Sequence, residues 1–463
     1  MDKKKIFTLA SALVFAASLF SCGRTGYDDF SFPEQEESTL RPVSDIYRDN
    51  SGDDLTPVRE KSNRTVRSSD GLCVIECMDS YFDVTLDYEK GSFRDAGAAY
   101  AEVIPLVFEG YQELCEGYIF ENIKAAFNDL NGDYSGIENR TEILCDSLGR
   151  NYRDELEGFA EKISGDSEGI KEDGILSAEE AYLMQLIPDV LRGTACSALS
   201  ADGSVTSTGE RLSCRLLEWQ LGSENQLCRC HTLLHMKNGD KSFVSVTYLG
   251  FLTILTAVNN DGVMLGELDV GSMNMVEYSC EGKTSYTYAM RYALENCTTA
   301  REAAGYLAAN ASDYPYCVNV FATDKSDAVV AELAVVPEEG TPLLRDSSTP
   351  LIDGLEWDSG KYICAVNSFA AKGNADGITH YTDNIVRWNR YNELFCGETA
   401  LSPERMRHLL TCESTDNDLV RIRSDGLVHM VIADYSDCRL QAILTDTGGV
   451  DDEQRFVDLG SWK

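Results

Sequence analysis

Cys196 sits in a run of small residues, Gly193-Thr194-Ala195-Cys196-Ser197-Ala198. Nineteen positions on comes Arg215, and three after that Glu218, within Cys214-Arg215-Leu216-Leu217-Glu218-Trp219. The thiolate is the nucleophilic form of cysteine, and a nearby guanidinium both lowers the thiol pKa and offers donors to an anion or a carbonyl. A carboxylate beside them can orient the cation or accept from an ammonium. Cleaving an unactivated amide needs a nucleophile, a proton acceptor and a group to hold the oxyanion, and these residue types supply such a set. The plain alternative is a thiol buried in a strand beside a strand-surface ion pair, as expected for most of the sixteen cysteines.

The elements around Cys196 change character at that residue. Residues 92–192 read as mostly helical, with Phe93 to Phe127 and Glu138 to Ile163 carrying apolar side chains at three- and four-residue spacings. Ser177-Ala178-Glu179-Glu180 reads as a capping box opening a further helix towards Leu191, which Gly193 ends just before the cysteine. After Cys196 the pattern is of strands. Leu233 to Met236, Asn238-Gly239, and Phe243 to Val258 read as a hairpin, followed by a turn at Asn259-Asn260-Asp261-Gly262 and a strand from Val263 to Val270. Helices are expected at Ser285 to Glu295, Thr299 to Ala309, Arg387 to Phe395 and Pro403 to Thr411. Further strands are expected at Leu72 to Cys77, Val318 to Ala322, Ala328 to Val336, Tyr362 to Phe369, Leu427 to Asp434 and Arg439 to Thr445. Strand meanders interleaved with helices fit an α+β class, two antiparallel sheets between helical layers.

A helix ending at a cysteine among small residues, then a turn and an Arg-x-x-acid strand, resembles the start of the catalytic subunit in N-terminal-nucleophile hydrolases. The nearest kin by this pattern are the acyl-coenzyme A:isopenicillin N acyltransferase-like (C45) family and the choloylglycine hydrolases. The resemblance runs from about residue 92 to the end of the chain. It implies a four-layer αββα fold, a helical pro-segment over 71–195, a catalytic subunit over 196–463, and self-cleavage between Ala195 and Cys196. The new N-terminal cysteine would then attack with its thiol and move protons with its own α-amine. Implied site residues are Cys196, Arg215 and Glu218. Asn259, or the backbone near it, in the Val258-Asn259-Asn260-Asp261-Gly262 turn, is implied as an oxyanion group, the plain alternative being a turn asparagine. Asn367, in Val366-Asn367-Ser368-Phe369, is implied as an oxyanion or amine partner, and Arg387, with Arg390 as its alternative, from a late helix start. Leu216, Glu218 and Asp269 depart from the family pattern, which usually has Asn, Asp and Asn there.

The ends and the composition bound the rest. Met1-Asp2-Lys3-Lys4-Lys5, an apolar stretch from Ile6 to Phe20 and Ser21-Cys22 read as a secretory signal over 1–21, too short for a span. Leu19-Phe20-Ser21-Cys22 resembles a lipobox, which implies lipid on Cys22, a membrane anchor in a bacterial cell envelope, and a flexible acidic tether over 22–70. A net charge of −37 repels nucleic acid, so no such partner is expected. Cys228-Arg229-Cys230-His231 with His235 could supply zinc ligands, but no second pair follows at a usual spacing; no metal and no cofactor is expected. Expected partners are a small-molecule N-acyl amide, the membrane, and the pro-segment as a non-covalent subunit. The rival function is a surface lipoprotein that binds without chemistry.

Overall fold

The computed structural model describes residues 55–56 and 64–463, apart from 128–129, 131, 192–194, 271–279, 338–339, 356, 358–359, 375–381, 412–421, 423–425 and 446–455. The expected signal at 1–21, the lipid site Cys22, most of the tether and Gly193 lie outside the described residues. Among the described residues the strands form two sheets. In chain order they are β1 (Leu55–Thr56), β2 (Arg64–Arg67), β3 (Cys73–Cys77), β4 (Phe82–Asp87), β5 (Ala195–Ala201), β6 (Leu212–Glu218), β7 (His231–Lys237), β8 (Phe243–Tyr248), β9 (Thr256–Asn259), β10 (Met264–Asp269), β11 (Val318–Thr323), β12 (Ala328–Leu333), β13 (Leu343–Arg345), β14 (Tyr362–Ala365), β15 (Leu427–Asp434), β16 (Arg439–Leu444) and β17 (Phe456–Ser461). One sheet runs β1-β17-β16-β15-β6-β5-β14, the other β13-β12-β11-β10-β9-β8-β7-β4-β3-β2.

The helices are α1 (Phe93–Val107), α2 (Tyr111–Ala126), α3 (Ser135–Ser147), α4 (Arg150–Ile163), α5 (Ala178–Val190), α6 (Gln226–Arg229), α7 (Tyr286–Asn296), α8 (Ala300–Ala309), α9 (Thr382–Phe395) and α10 (Pro403–Thr411). Three packed interfaces order the layers. Val431, Ala433 and Ala442 of the first sheet meet Leu233, Val244 and Val258 of the second. The opposite face of the first sheet, with Leu199, Cys214, Leu216 and Ile432, buries Trp388, Tyr391 and Leu394 of α9 and Met406 and Leu410 of α10. The opposite face of the second, with Ile75, Val84, Leu234 and Val320, buries α1 to α5, α7 and α8. Helix, sheet, sheet, helix is the αββα sandwich expected. No helix of the described residues is long and apolar enough to cross a membrane.

Local chemistry explains the boundaries. The capping box at Ser177 forms, with Glu180 N–H donating to Ser177 Oγ at 3.1 Å and Ser177 N–H to Glu180 Oε2 at 2.8 Å. The strand expected over 243–258 breaks after Tyr248, because Gly250 takes φ +82° and lies against the Tyr111 hydroxyl. The stretch read as tether ends earlier than residue 70, since Arg64–Arg67 is a strand pairing with β3. Among its described residues the segment before Cys196 carries five helices and, beside the strand expected at Leu72 to Cys77, also β4, which pairs parallel with β7.

Helices α1 and α4 touch backbone to backbone. A Cβ at Gly97 would lie 2.1 Å from Glu155 O, and one at Gly158 2.1 Å from Arg94 O. Neither carbonyl can yield as a side chain would. Gly158→Ala is expected to destabilise the fold by about 1–3 kcal/mol through overpacking. Denaturant titration reads this, and an unchanged midpoint would mean the two helices can move apart freely.

Candidate active site

β5 and β6 pair antiparallel, with Cys196 opposite Leu217 and Ala198 opposite Arg215. Cys196 and Arg215 are therefore diagonal neighbours on one face, the face turned to the second sheet. Arg215 Nη2 donates to Cys196 Sγ at 3.1 Å and to Glu267 O at 2.6 Å, with Glu267 Oε2 at 3.8 Å. The Arg215 stem crosses Gly266, where a Cβ would stand 2.8 Å from Arg215 Cγ, so this approach needs a residue without one. Both Cys196 and Arg215 are fully buried. Burial pushes the Cys196 thiol up to about 12, with Arg215 pulling the other way, so in the continuous chain the thiol is protonated.

A second set of contacts converges on the backbone of Cys196. Its N–H donates to Asn367 Oδ1 at 2.6 Å, and Arg387 Nη2 donates to the same oxygen at 3.0 Å. Two partners that can only donate fix which end of the amide is oxygen. Asn367 Nδ2 in turn donates to Asp269 O at 2.7 Å. Arg387 Nη1 donates to Cys196 O at 2.7 Å and pairs with Glu218 Oε2 at 3.1 Å, while its Nη2 also reaches Asn384 Oδ1 at 2.8 Å. Arg387 thus clamps strand β5, the Asn367 loop and the end of β6 together. The Asn367 oxygen therefore faces the Cys196 nitrogen, while its amide N–H is engaged by the Asp269 carbonyl.

Two expected placements differ. Glu218 does not orient Arg215. Residues three apart on a strand point to opposite faces, so Glu218 leaves the thiol side and meets Arg387 from the outer helix. Asn259 does not meet Cys196 either. Its Nδ2 donates to Leu294 O and Cys297 O, both at 2.9 Å, and its Oδ1 accepts from Val263 N–H at 2.9 Å. It satisfies carbonyls at the end of α7 and its own turn. Asn259→Ala is expected to cost about 1–3 kcal/mol of stability, by leaving buried groups unsatisfied, while chemistry at Cys196 stays within about twofold. Denaturation and rate measurements on one sample separate the two. Arg390 pairs with Glu393 at 2.9 Å and stays out of the cluster.

Three residues at the site carry no spacing signal in the sequence. Glu267 and Thr256 come from the facing sheet. His429, in β15, is fully buried with Nε2 3.1 Å from Thr256 Oγ1. A lone histidine in the apolar run Leu427-Val428-His429-Met430-Val431 was the one visible oddity. The zinc candidates separate: Cys228 contacts Thr445 Oγ1 at 3.3 Å, and His235 contacts Asp83 at 3.3 Å. Among the described residues no group of three or more His, Cys, Asp or Glu is placed to hold a metal.

A small cavity of about 40 Å³ lies beside the end of β6. Tyr118 of α2 and Ile187 of α5 line it from the segment before Cys196, and Trp219, Leu227, Tyr248 and Phe251 from the segment after. Its walls are apolar and aromatic. Trp219 follows directly on β6, and the Tyr248 ring centroid lies 6.4 Å from that of His429.

Among solved structures the chain is similar to a Caenorhabditis elegans N-acylethanolamine-hydrolyzing acid amidase ortholog, at 15% identity over 51% of this chain and 92% of that one, TM-score 0.38. It is similar to a mutant conjugated bile acid hydrolase from Clostridium perfringens at 13% identity, over 57% and 92%, TM-score 0.34. It is similar to penicillin V acylase from Agrobacterium tumefaciens at 12% identity, over 57% and 86%, TM-score 0.30. No family model matches the chain, and no curated protein matches it. At such distances the likeness says nothing of substrate or residue roles, which must come from the geometry.

Proposed function

We propose that this protein is a cysteine N-terminal-nucleophile amidohydrolase, made as a proenzyme and acting on N-acyl amides. The observation that carries the reading is the pair of contacts on one residue: Arg215 Nη2 at 3.1 Å from Cys196 Sγ, and Asn367 Oδ1 at 2.6 Å from Cys196 N. A cation on the sulfur and an acceptor on the nitrogen suit a residue whose thiol attacks and whose amine carries protons.

Activation begins with Cys196 Sγ attacking the Ala195 carbonyl. The peptide C–N bond breaks as a thioester forms, and the thiol proton ends on the released α-amine. Water then hydrolyses the thioester, freeing Ala195 as a carboxylate. The amine, with a reference pKa of about 7.7–8.0, takes the thiol proton in each turnover and delivers it to the leaving amine of the substrate. Asn367 Oδ1 accepts one amine N–H and fixes its direction, and Arg387 holds Asn367. The acyl group stays on Sγ until water, or a second amine in an acyltransferase, takes it. Anchoring through lipid on Cys22 would place the enzyme in the cell envelope, and the mass of the mature N-terminal peptide tests it.

One observation favours the rival, a lipoprotein that binds without chemistry: Cys196 has no exposed surface in the continuous chain. Intact mass and N-terminal sequencing of the purified protein separate the two. Two pieces, the second starting at Cys196, together with turnover of N-acyl amides, support the amidase. One uncut chain, inert towards them, removes the N-terminal amine and with it the reading.

A further inference from the structure

The chemistry above makes no use of His429. Its Nε2 lies 3.5 Å from Arg215 Nη1 as well as 3.1 Å from Thr256 Oγ1, and ring and guanidinium are both fully buried. A guanidinium has donors and no acceptor, so this contact is attractive only when Nε2 carries a lone pair. The Thr256 hydroxyl can donate to the same atom, and the ring proton then belongs on Nδ1. Burial first, and then the charge of Arg215 with His231 beside it, hold the imidazole well below its usual range, so it is neutral. The groups facing the ring are Arg215 from β6, Thr256 from β9, Tyr248 from β8 and His231 from β7, with Glu267 of β10 reaching it only through Arg215.

The guanidinium is planar, so fixing both terminal nitrogens fixes its orientation. Nη2 is shared between the Cys196 sulfur and Glu267 O. The Glu267 carboxylate, with Oε2 at 3.8 Å, competes for the same nitrogen. His429 supplies the hold on Nη1. Without it the plane can turn and Nη2 can leave the sulfur for the carboxylate. We infer that His429, accepting through Nε2, is a positioning residue that keeps the Arg215 guanidinium on the Cys196 sulfur and so sets the reactivity of that thiol. This rests on Cys196 being the nucleophile.

The test compares the purified full-length product with its His429→Gln, His429→Asn and His429→Leu variants. Glutamine puts an acceptor where Nε2 was, asparagine only where Nδ1 was, and leucine nowhere. Each sample is treated with iodoacetamide across a pH range, and alkylation of the Cys196 peptide is followed by mass spectrometry. The midpoint of that profile reports the thiol, a readout that a merely structural role would not move. His429→Asn and His429→Leu are expected to raise the midpoint by about one pH unit, a tenfold loss of thiolate at fixed pH, with His429→Gln close to the parent. Should the leucine variant fail to fold, the Gln and Asn pair still decides. Midpoints unchanged in Asn, or raised equally in Gln, overturn the assignment while leaving the amidase reading intact. An uncut parent whose Cys196 never reacts would instead remove that reading and this role together.

Discussion

Cys196→Ala should leave a single uncut chain and lower hydrolysis of N-acyl amides by about 10⁴-fold or more. In the proposed mechanism the side chain takes part twice, first on the Ala195 carbonyl and then on the substrate, and no neighbouring group can replace it. Arg215 only donates, Asn367 holds its oxygen on the backbone nitrogen, and Glu218 is bound to Arg387 on the other face. Removing the sulfur deletes few atoms from a site between two packed sheets, so the variant is expected to fold. Intact mass and a far-UV spectrum check both statements. A cut Cys196→Ala chain would show that another group performs the cleavage.

The second large effect falls on stability. Arg291 of α7 lies on the Glu155 carboxylate of α4, with Nη2 3.1 Å from Oε1. Its Nε reaches Glu295 at 3.0 Å, and its guanidinium stacks 4.9 Å from the Tyr152 ring centre. Tyr88 donates to the same carboxylate. Arg291→Met would leave Glu155 buried without its cation, a change worth about 3–5 kcal/mol. The loss depends on pH. Burial already raises the Glu155 carboxyl, against the opposing pull of Arg291, and removing that pull raises it further. A carboxyl whose folded pKa exceeds the unfolded value of about 4.3 takes up its proton more readily in the folded state. Stability of the variant therefore falls as pH rises above that value, and the deficit shrinks towards about pH 4. Urea titrations at several pH values read the trend. A deficit that is constant with pH would mean packing, and not charge, carries the loss.

The sequence was informative where pattern and geometry share a period. Capping at Ser177, the strand pair around Asp324-Lys325 and the late helices follow from side-chain spacing alone. Arg215 was found because an antiparallel neighbour strand brings it diagonal to Cys196. Glu218 is named by resemblance, as a partner of the amine or of Arg215, but strands alternate every residue and its side chain leaves the face of Arg215 for Arg387. Asn259 was misplaced because a turn asparagine satisfies local carbonyls as readily as it serves a reaction. His429, Thr256 and Glu267 were out of reach for a different reason. Stacking of one sheet on the other brings them to the thiol, and nothing in linear spacing encodes that meeting.

The pairing of β4 with β7 carries a consequence for how the molecule matures. The second sheet takes β2, β3 and β4 from before Cys196 and its remaining strands from after, so the chain is woven across the proposed cut. Two pieces made this way cannot drift apart without tearing a sheet and baring its edge. The contacts on Cys196 beside the proposed cut also come late, from Asn367 and Arg387, 171 and 191 residues downstream. A chain still emerging from the ribosome lacks both, and a misfolded one misaligns them. The proposed scission would thus act as a seal of correct assembly, and the fraction of cut chain in a culture would gauge folding yield directly.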